Sequence, residues 1–288
     1  MRENLYKYIN AADWNDTSFS VTKAYVCAKF SQLIYEYKPT SLNDRTSFYD
    51  INDETLRNYK NISQFNSLLS NSDMNLLFIA EDRHSVTVGI SAFRVVIVAS
   101  RGTAVKKDWL INLNFPKNKA CKLEKLNFHR GFHNIALKTL DKIHKRLARE
   151  DAPVCFTGHS LGGALTGILY FYFRSNCNCR GSHAILKRNS ISAYTFGMPM
   201  FSNKKSPTFD NLYHIYNQKD IVPAIPPKSL KFQQNGIQYE ISVSGLNKVE
   251  NHKFINFKKF IKLIFNGKVV KEHVIENYIA MLQNVVPK

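Results

Sequence analysis

Residues 155–167 read CFTGHSLGGALTG, and within them Ser160 lies between Gly158 and Gly162. An apolar run typical of a buried strand precedes this motif, and a longer apolar run typical of a helix follows it. A G-x-S-x-G at such a strand-to-helix turn is the pattern of a nucleophile elbow. The serine there holds a strained backbone, and side chains two positions away on either side would collide, so both positions require glycine. The pattern predicts a reactive hydroxyl at Ser160 rather than a tight structural turn.

The rest of the sequence alternates strand and helix patterns, which indicates an α/β fold with a sheet buried on both faces. We find no internal repeat and no linker, so we predict one domain, 1–288, with 1–73 as a helical and irregular lead-in. Ser20 is the expected N-cap of the first strongly predicted helix. The predicted strands are 74–82, 85–91, 94–100, 152–157, 190–196, 212–217 and 237–243, and the predicted helices are 21–35, 131–149, 161–173 and 273–282.

The composition combines a packed interior with a strong positive charge. Of 288 residues, 44% are hydrophobic and 12% aromatic, which favours a globular protein over a disordered one. The 40 Lys and Arg outnumber the 22 Asp and Glu, for a net charge of +18. This charge favours contact with an anionic membrane surface, and a compositional bias towards lysine is the alternative. Because no Arg-rich block, zinc-finger spacing or RNA-binding motif is present, we expect no nucleic-acid partner.

The N-terminus and the cysteines bear on the compartment. The first twenty residues hold no apolar stretch of signal-peptide length, and no window reaches the roughly 18 apolar residues of a spanning helix. We therefore expect synthesis in the cytoplasm without a cleaved signal peptide, with export by a dedicated secretion system as the alternative. The scattered, odd-numbered cysteines predict reduced thiols rather than disulfides or a metal site. They are Cys27, Cys121, Cys155, Cys177 and Cys179.

A serine hydroxyl becomes a nucleophile only with a base, usually histidine, and a carboxylate that orients the base. On this architecture the carboxylate follows the serine and the histidine comes last. Asp220 ends a strand-like run and precedes a proline-stiffened loop, which places it on the side of the sheet where sites form. Asp210, in a polar loop before that strand, is the alternative.

Four histidines follow Ser160, and two of them can serve as the base. His273 opens the last apolar helix, which would fix its backbone, and His252 is the alternative. His183 precedes Asp220, and His214 lies inside a strand pattern.

The developing oxyanion needs backbone N–H donors. One should come from Leu161, the residue after the nucleophile, and the other from a loop after an upstream strand. Thr103 lies in such a loop, after the buried run 94–100 and Gly102.

Six ordered blocks of this sequence resemble the class 3 lipase family, which includes filamentous-fungal triacylglycerol lipases and related phospholipases. They span about 76–282, and the helix at 21–35 is similar to the first helix of the family. The blocks are IVASRGTAVKKDWLINL, FHRGF, CFTGHSLGGALTG, YTFGMPMFSN, IYNQKDIVPAIPP and HVIENYIAML.

The resemblance implies an α/β-hydrolase fold, with a mostly parallel central sheet flanked by helices and a short lid. It implies Ser160 as nucleophile, Asp220 as orienting acid and His273 as base, with Thr103 and Leu161 at the oxyanion hole. It implies no metal and no cofactor.

The resemblance also implies that 104–110 is the lid, with Lys107, Asp108 and Trp109 in it; an ordinary surface helix is the alternative. Further residues match the family pattern, and we interpret them as structural: His129, Phe132, His159, Gly197 and Pro199. Because the chain shows neither a signal sequence nor a disulfide pattern, it resembles bacterial members more than secreted fungal ones.

The segment 253–271 holds six lysines and no acid, interleaved with Phe, Ile and Leu. It predicts either a stripe that lies on an anionic membrane or a core-facing helix with a solvated face. With the net charge, it favours a phospholipase A-type serine hydrolase that cleaves carboxyl esters of membrane glycerolipids. Delivery as a bacterial effector would add an inhibitor or immunity protein as partner. The alternatives are a triacylglycerol or monoacylglycerol lipase, acyl transfer to another alcohol, and an inactive membrane-binding module.

Overall fold

Within the described residues, a nine-stranded sheet is covered by helices on both faces. The computed structural model describes residues 2–39, 46–53, 59–70, 73–82, 85–102, 117–121, 125–175, 190–226, 230–250 and 269–287. The helices are α1 (Arg2–Ala11), α2 (Val21–Leu33), α3 (Lys60–Ser70), α4 (Arg130–Leu147), α5 (Leu161–Arg174), α6 (Val269–Glu272) and α7 (Ile275–Gln283). The strands are β1 (Ser47–Asp50), β2 (Met74–Asp82), β3 (Ser85–Ala92), β4 (Val95–Gly102), β5 (Lys117–Cys121), β6 (Leu126–His129), β7 (Val154–His159), β8 (Ile191–Phe196), β9 (Leu212–Asn217), β10 (Ile237–Ser242) and β11 (Gly245–Val249).

The sheet is parallel in its centre and antiparallel at its edges. Its strand order is β1-β2-β3-β4-β7-β8-β9-β10-β11. The pairs from β4 to β10 are parallel, while β1 to β4 and the β10–β11 hairpin are antiparallel. Parallel pairing brings the carboxyl ends of β7, β8 and β9 to one edge, where sites of α/β proteins form. Strands β5 and β6 form a separate two-stranded sheet.

Each face of the sheet carries its own apolar core. Successive residues of a strand point to opposite faces, so Ile97 and Val98 of β4 enter different cores. Cys155 and Phe156 of β7 divide in the same way. Helices α1, α2, α3 and α7 cover one face, and α4 and α5 cover the other. The central strands are therefore buried on both sides, as their unbroken apolar runs predict.

All the predicted strands and helices are present, with ends that differ by two residues or fewer. The predicted cap also forms, since the Ser20 hydroxyl accepts from the Lys23 backbone N–H at 3.4 Å.

None of the described helices has the length and apolar character needed to cross a bilayer. In the described part of the chain, Cys27 and Cys155 are buried free thiols whose sulfurs lie 3.4 Å apart.

The described part of the N-terminal segment contributes both a strand and a helix to the domain. It includes β1, which adds an edge strand to the central sheet, and α2, which is buried around most of its circumference. Lys23 of α2 is itself buried, and its Nζ donates to the Asp16 carbonyl at 2.6 Å. The Tyr194 hydroxyl of β8 accepts from the Ser20 N–H at 3.0 Å and donates to the Ser18 carbonyl at 3.2 Å. Hydrogen bonds thus tie this segment to the central sheet.

Replacing Tyr194 with phenylalanine should lower the free energy of unfolding by about 1–3 kcal/mol, because two backbone polar groups lose a buried partner. Urea unfolding followed by circular dichroism measures the change. Tyr6→Phe is the matched control, since Tyr6 is 49% exposed, and it should leave stability unchanged. Equal losses of unfolding free energy in the two variants would contradict a stabilising role of the Tyr194 hydrogen bonds.

Candidate active site

Ser160 lies on the sharp turn between β7 and α5. Its backbone has φ 60° and ψ −131°, a conformation that non-glycine residues rarely adopt. The turn is anchored to the neighbouring strand, because the Ser160 N–H donates to the Phe196 carbonyl at 2.9 Å. The strained turn places the hydroxyl at the carboxyl edge of the sheet, at the N-terminus of a fourteen-residue helix.

The two flanking glycines are required by contact, as the sequence predicts. A Cβ on Gly158 would collide with the carbonyl of Gly162. A Cβ on Gly162 would collide with the carbonyl of Ser100 in β4. The backbone of α5 therefore lies directly against that of β4 and β7, and no side chain larger than hydrogen fits between them.

Ser160, His273 and Asp220 form a continuous hydrogen-bonded chain. His273 Nε2 lies 2.8 Å from Ser160 Oγ, and His273 Nδ1 lies 2.6 Å from Asp220 Oδ2. Because a carboxylate only accepts, we assign the imidazole proton to Nδ1, which leaves Nε2 free to accept from the serine. The three residues are brought together from 60 and 53 positions apart in the chain.

The Asp220 carboxylate is fully enclosed and meets three donors. Its side chain has 0% exposure. Oδ2 accepts from His273 and from the Tyr278 hydroxyl, the latter at 2.6 Å, and Oδ1 accepts from the Val222 N–H at 2.9 Å. A buried carboxylate is tolerated only with such partners, and this arrangement fixes the orientation of the carboxylate towards the imidazole.

The hydroxyl of Tyr278 in α7 links the Asp220 carboxylate to the end of strand β9. Burial and the nearby Asp220 charge raise the pKa of Tyr278 well above its usual range, so its hydroxyl stays a donor. The same hydroxyl accepts from the Asn217 N–H at 3.1 Å. Gly197, at φ 55°, leaves the space that these groups occupy: a Cβ there would lie 2.8 Å from Asp220 Oδ2 and 2.9 Å from His273 Cε1.

His273 lies in the short connection between α6 and α7 rather than inside the last helix. The sequence predicted that a helical backbone would hold it, and that prediction is wrong by two residues. Side chains hold the connection instead. His159 Nε2 lies 2.6 Å from the carbonyl oxygen of His273, and Asn217 Nδ2 lies 3.1 Å from that of Glu272.

Leu161 is the first residue of α5, where backbone N–H groups have no partner within the helix and the helix dipole favours an anion. Gly102 at the end of β4 is packed against it, since a Cβ on Gly102 would lie 2.6 Å from Leu161 Cβ. The chain therefore enters the predicted oxyanion loop beside Leu161. Thr103 itself lies outside the described residues, as do the predicted lid residues Lys107, Asp108 and Trp109.

Two of the other acid and base candidates lie within the described residues, and neither contacts Ser160. Asp210 is exposed and lies 3.4 Å from Arg174. His214 is buried, with Nε2 accepting from the Met198 N–H and Nδ1 facing Gln238 at 2.9 Å. His183 and His252 lie outside the described residues.

His129, interpreted as structural, is buried and stacked on Phe132 with ring centroids 4.1 Å apart. Burial lowers the pKa of His129 to about 4, so the ring is neutral.

No cluster of three or more His, Cys, Asp or Glu in the described part of the chain is arranged to hold a metal ion.

Sequence reasoning did not assign roles to Tyr278 and Asn217. Tyr278 contacts Asp220, and Asn217 contacts the connection that carries His273. A tyrosine at a buried position of an apolar helix needs a partner for its hydroxyl, and this was the signal for Tyr278. Asn217 carries a weaker signal, as the last residue of a buried strand. A serine, an imidazole and an oriented carboxylate in this geometry can carry out nucleophilic acyl transfer.

Residues 97–230 match the family model described as lipase (class 3). Over these residues the chain is similar to class 3 lipases. Those residues hold Ser160, Asp220, strands β7, β8 and β9 of the central sheet, and most of β4. The resemblance drawn from the six sequence blocks is thereby confirmed.

Two curated relatives are similar to this chain. The lipase of Rhizomucor miehei is 26% identical over 164 residues, which cover 52% of this chain and 42% of that protein. The secreted mono- and diacylglycerol lipase 1 of Fusarium solani is 24% identical over 168 residues, which cover 55% of this chain and 47% of that protein. The matched part thus spans less than half the length of either relative.

The fold of the family is also similar. The crystal structure of a fungal lipase superposes with a TM-score of 0.61 at 14% identity, over 85% of this chain and 95% of that chain. With the parallel strand centre and two helical layers, this likeness confirms the predicted α/β-hydrolase fold.

Replacing Gly162 with alanine should lower the free energy of unfolding by about 1–3 kcal/mol or more, because the added methyl group meets the Ser100 carbonyl and the backbone must shift. Gly131→Ala on α4 is the matched control, since a Cβ there would lie 3.4 Å from its nearest neighbour, an ordinary contact. Urea denaturation of both variants measures the difference. A Gly162→Ala protein as stable as Gly131→Ala would contradict the close approach of α5 and β4.

Proposed function

We propose that the protein is a serine hydrolase that cleaves carboxyl-ester bonds of membrane glycerolipids, with phospholipids as its preferred substrates. The observation that carries the proposal is the unbroken chain from Ser160 Oγ through His273 to Asp220, with contacts of 2.8 and 2.6 Å. Each atom in it has the partner that nucleophilic catalysis requires. The match to the class 3 lipase family model supports the same reaction class.

Ser160 Oγ attacks the acyl carbonyl carbon while His273 Nε2 takes the hydroxyl proton. The tetrahedral oxyanion is stabilised at the N-terminus of α5, with the Leu161 N–H as one donor and the segment after Gly102 as the source of the second. The intermediate collapses, His273 returns its proton to the leaving alcohol, and the acyl-enzyme ester remains. His273 then activates a water molecule, which releases the fatty acid and restores the Ser160 hydroxyl. Throughout, Asp220 stabilises the imidazolium.

The charge of the molecule supports a phospholipid substrate. The net charge is +18, and two exposed lysines stand close to the triad in the chain. Lys219 precedes Asp220, and Lys271 lies two residues before His273. Exposed ammonium groups attract phosphate-bearing head groups.

A second candidate substrate class is the acylglycerols. It is favoured by the names of the two relatives, one a lipase and the other a mono- and diacylglycerol lipase. Both classes present the same carboxyl ester to Ser160, so the triad chemistry is identical. Peripheral contact with an anionic membrane, delivery to a target cell and an inhibitor protein stay predictions from the sequence.

A fluorophosphonate probe should label the wild-type protein at Ser160 and leave Ser160→Ala unlabelled. Asp220→Asn should lower kcat on a soluble ester by about 10⁴-fold, because the amide favours the wrong imidazole tautomer. Asp210→Asn, which alters an exposed carboxylate outside the site, is the control and should retain activity. An unlabelled but folded wild-type protein would overturn the hydrolase assignment.

Mass spectrometry of products distinguishes the two substrate classes. Phosphatidylglycerol vesicles should yield lysophospholipid and fatty acid faster than a diacylglycerol emulsion. Lys219→Gln/Lys271→Gln should reduce hydrolysis of these vesicles several-fold, and high salt should abolish the difference because it screens exposed charges. Lys142→Gln/Lys145→Gln on α4 is the matched control. Faster hydrolysis of the diacylglycerol would replace the phospholipid assignment by the acylglycerol one.

A further inference from the structure

The residue before the nucleophile contacts the backbone of the base. His159 is the last residue of β7, is buried, and places Nε2 2.6 Å from the His273 carbonyl oxygen. Its ring also packs on the His273 ring, with centroids 4.6 Å apart and planes 33° apart. Both contacts bridge 114 positions of the chain.

The tautomer of His159 follows from its two partners. A carbonyl oxygen only accepts, so Nε2 carries the proton and donates to His273. Nδ1 then accepts from the Tyr35 hydroxyl at 3.2 Å. Burial raises the pKa of Tyr35 to about 12, so this hydroxyl is a phenol and can donate. The 3₁₀-helix Ile34–Glu36 that carries Tyr35 thus fixes the direction of the His159 N–H.

The connection between α6 and α7, which carries His273, is held by such side-chain contacts. His273 and Val274 lie between α6 and α7, where a continuous helical hydrogen-bond ladder is absent. Two successive carbonyls, of Glu272 and His273, accept from Asn217 and His159 at the carboxyl ends of β9 and β7. The position of the imidazole is therefore set by the same strand ends that present Asp220 and Ser160.

We propose that His159 is a positioning residue, which holds the main chain of His273 so that its Nε2 faces Ser160 Oγ and the leaving alcohol in turn. This inference rests on the proposed function. Because His159 is adjacent to Ser160 in the chain, one rigid strand end places both the nucleophile and the backbone of its base. Without the donor, the imidazole shifts relative to the hydroxyl, and a displacement of about 1 Å costs about 100-fold in rate.

The test compares two variants of similar size and shape. His159→Gln keeps an N–H donor of similar reach, whereas His159→Met removes it. With a soluble short-chain ester, kcat should fall about 10- to 100-fold in His159→Met with KM unchanged, and His159→Gln should recover most of this loss. The low-field proton resonance of the His273–Asp220 hydrogen bond should weaken in His159→Met and persist in His159→Gln.

Thr157→Val is the matched structural control, because Thr157 lies on the same strand and its hydroxyl also contacts distant backbone carbonyls, those of Tyr194 at 2.9 Å and Cys27 at 3.2 Å. It should lower stability without lowering kcat. If His159→Met fails to fold, His159→Phe, which keeps the ring contact, takes its place in the comparison. Wild-type kcat in the variant without the donor, or equal losses with and without it, would overturn the positioning role. Failure of the wild-type protein to label or hydrolyse would instead remove the proposed function.

Discussion

The absence of a side chain at Gly158 and Gly162 is the constraint on which the site depends. It lets the backbone of α5 approach β4 and β7 so closely that a single methyl group would collide with a carbonyl. Only at this separation does the turn between strand and helix become tight enough to force Ser160 into its strained conformation. The hydroxyl then projects from the sheet edge instead of packing into the core. The strain is held by the buried layers on both sides of the sheet.

The groups around that hydroxyl come from distant parts of the chain and meet because the parallel strands end at one edge. Strand β7 ends at His159 and is followed by Ser160, and β9 is followed by Asp220. Helix α7 supplies Tyr278, and the connection before it supplies His273. Each polar group has a buried partner, and together these partners form a network that extends from Tyr35 to the carboxylate. Such a network is rigid because leaving any one member unpaired in the interior is costly.

The sequence predicted the parts of this molecule that depend on local pattern. Ser160 is marked by its glycines, and Asp220 and the long apolar strands by periodicity and turn residues. The edge strands β1 and β11 were not predicted, because short, half-exposed strands lack a distinct apolar pattern. The role of Tyr278 and the placement of His273 outside a helix depend on how distant elements pack, which periodicity does not encode.

The hydrogen bonds that tie the N-terminal segment to the sheet join residues very far apart in the chain. Ser20 meets Tyr194 across 174 positions, and Thr17 meets Tyr213 across 196. During synthesis, the first two helices leave the ribosome long before the strands that they cover, and the segment before α2 forms both of these hydrogen bonds only after β9 has been made. Completion of this domain is therefore a late event in translation, and its high contact order makes its final assembly slow.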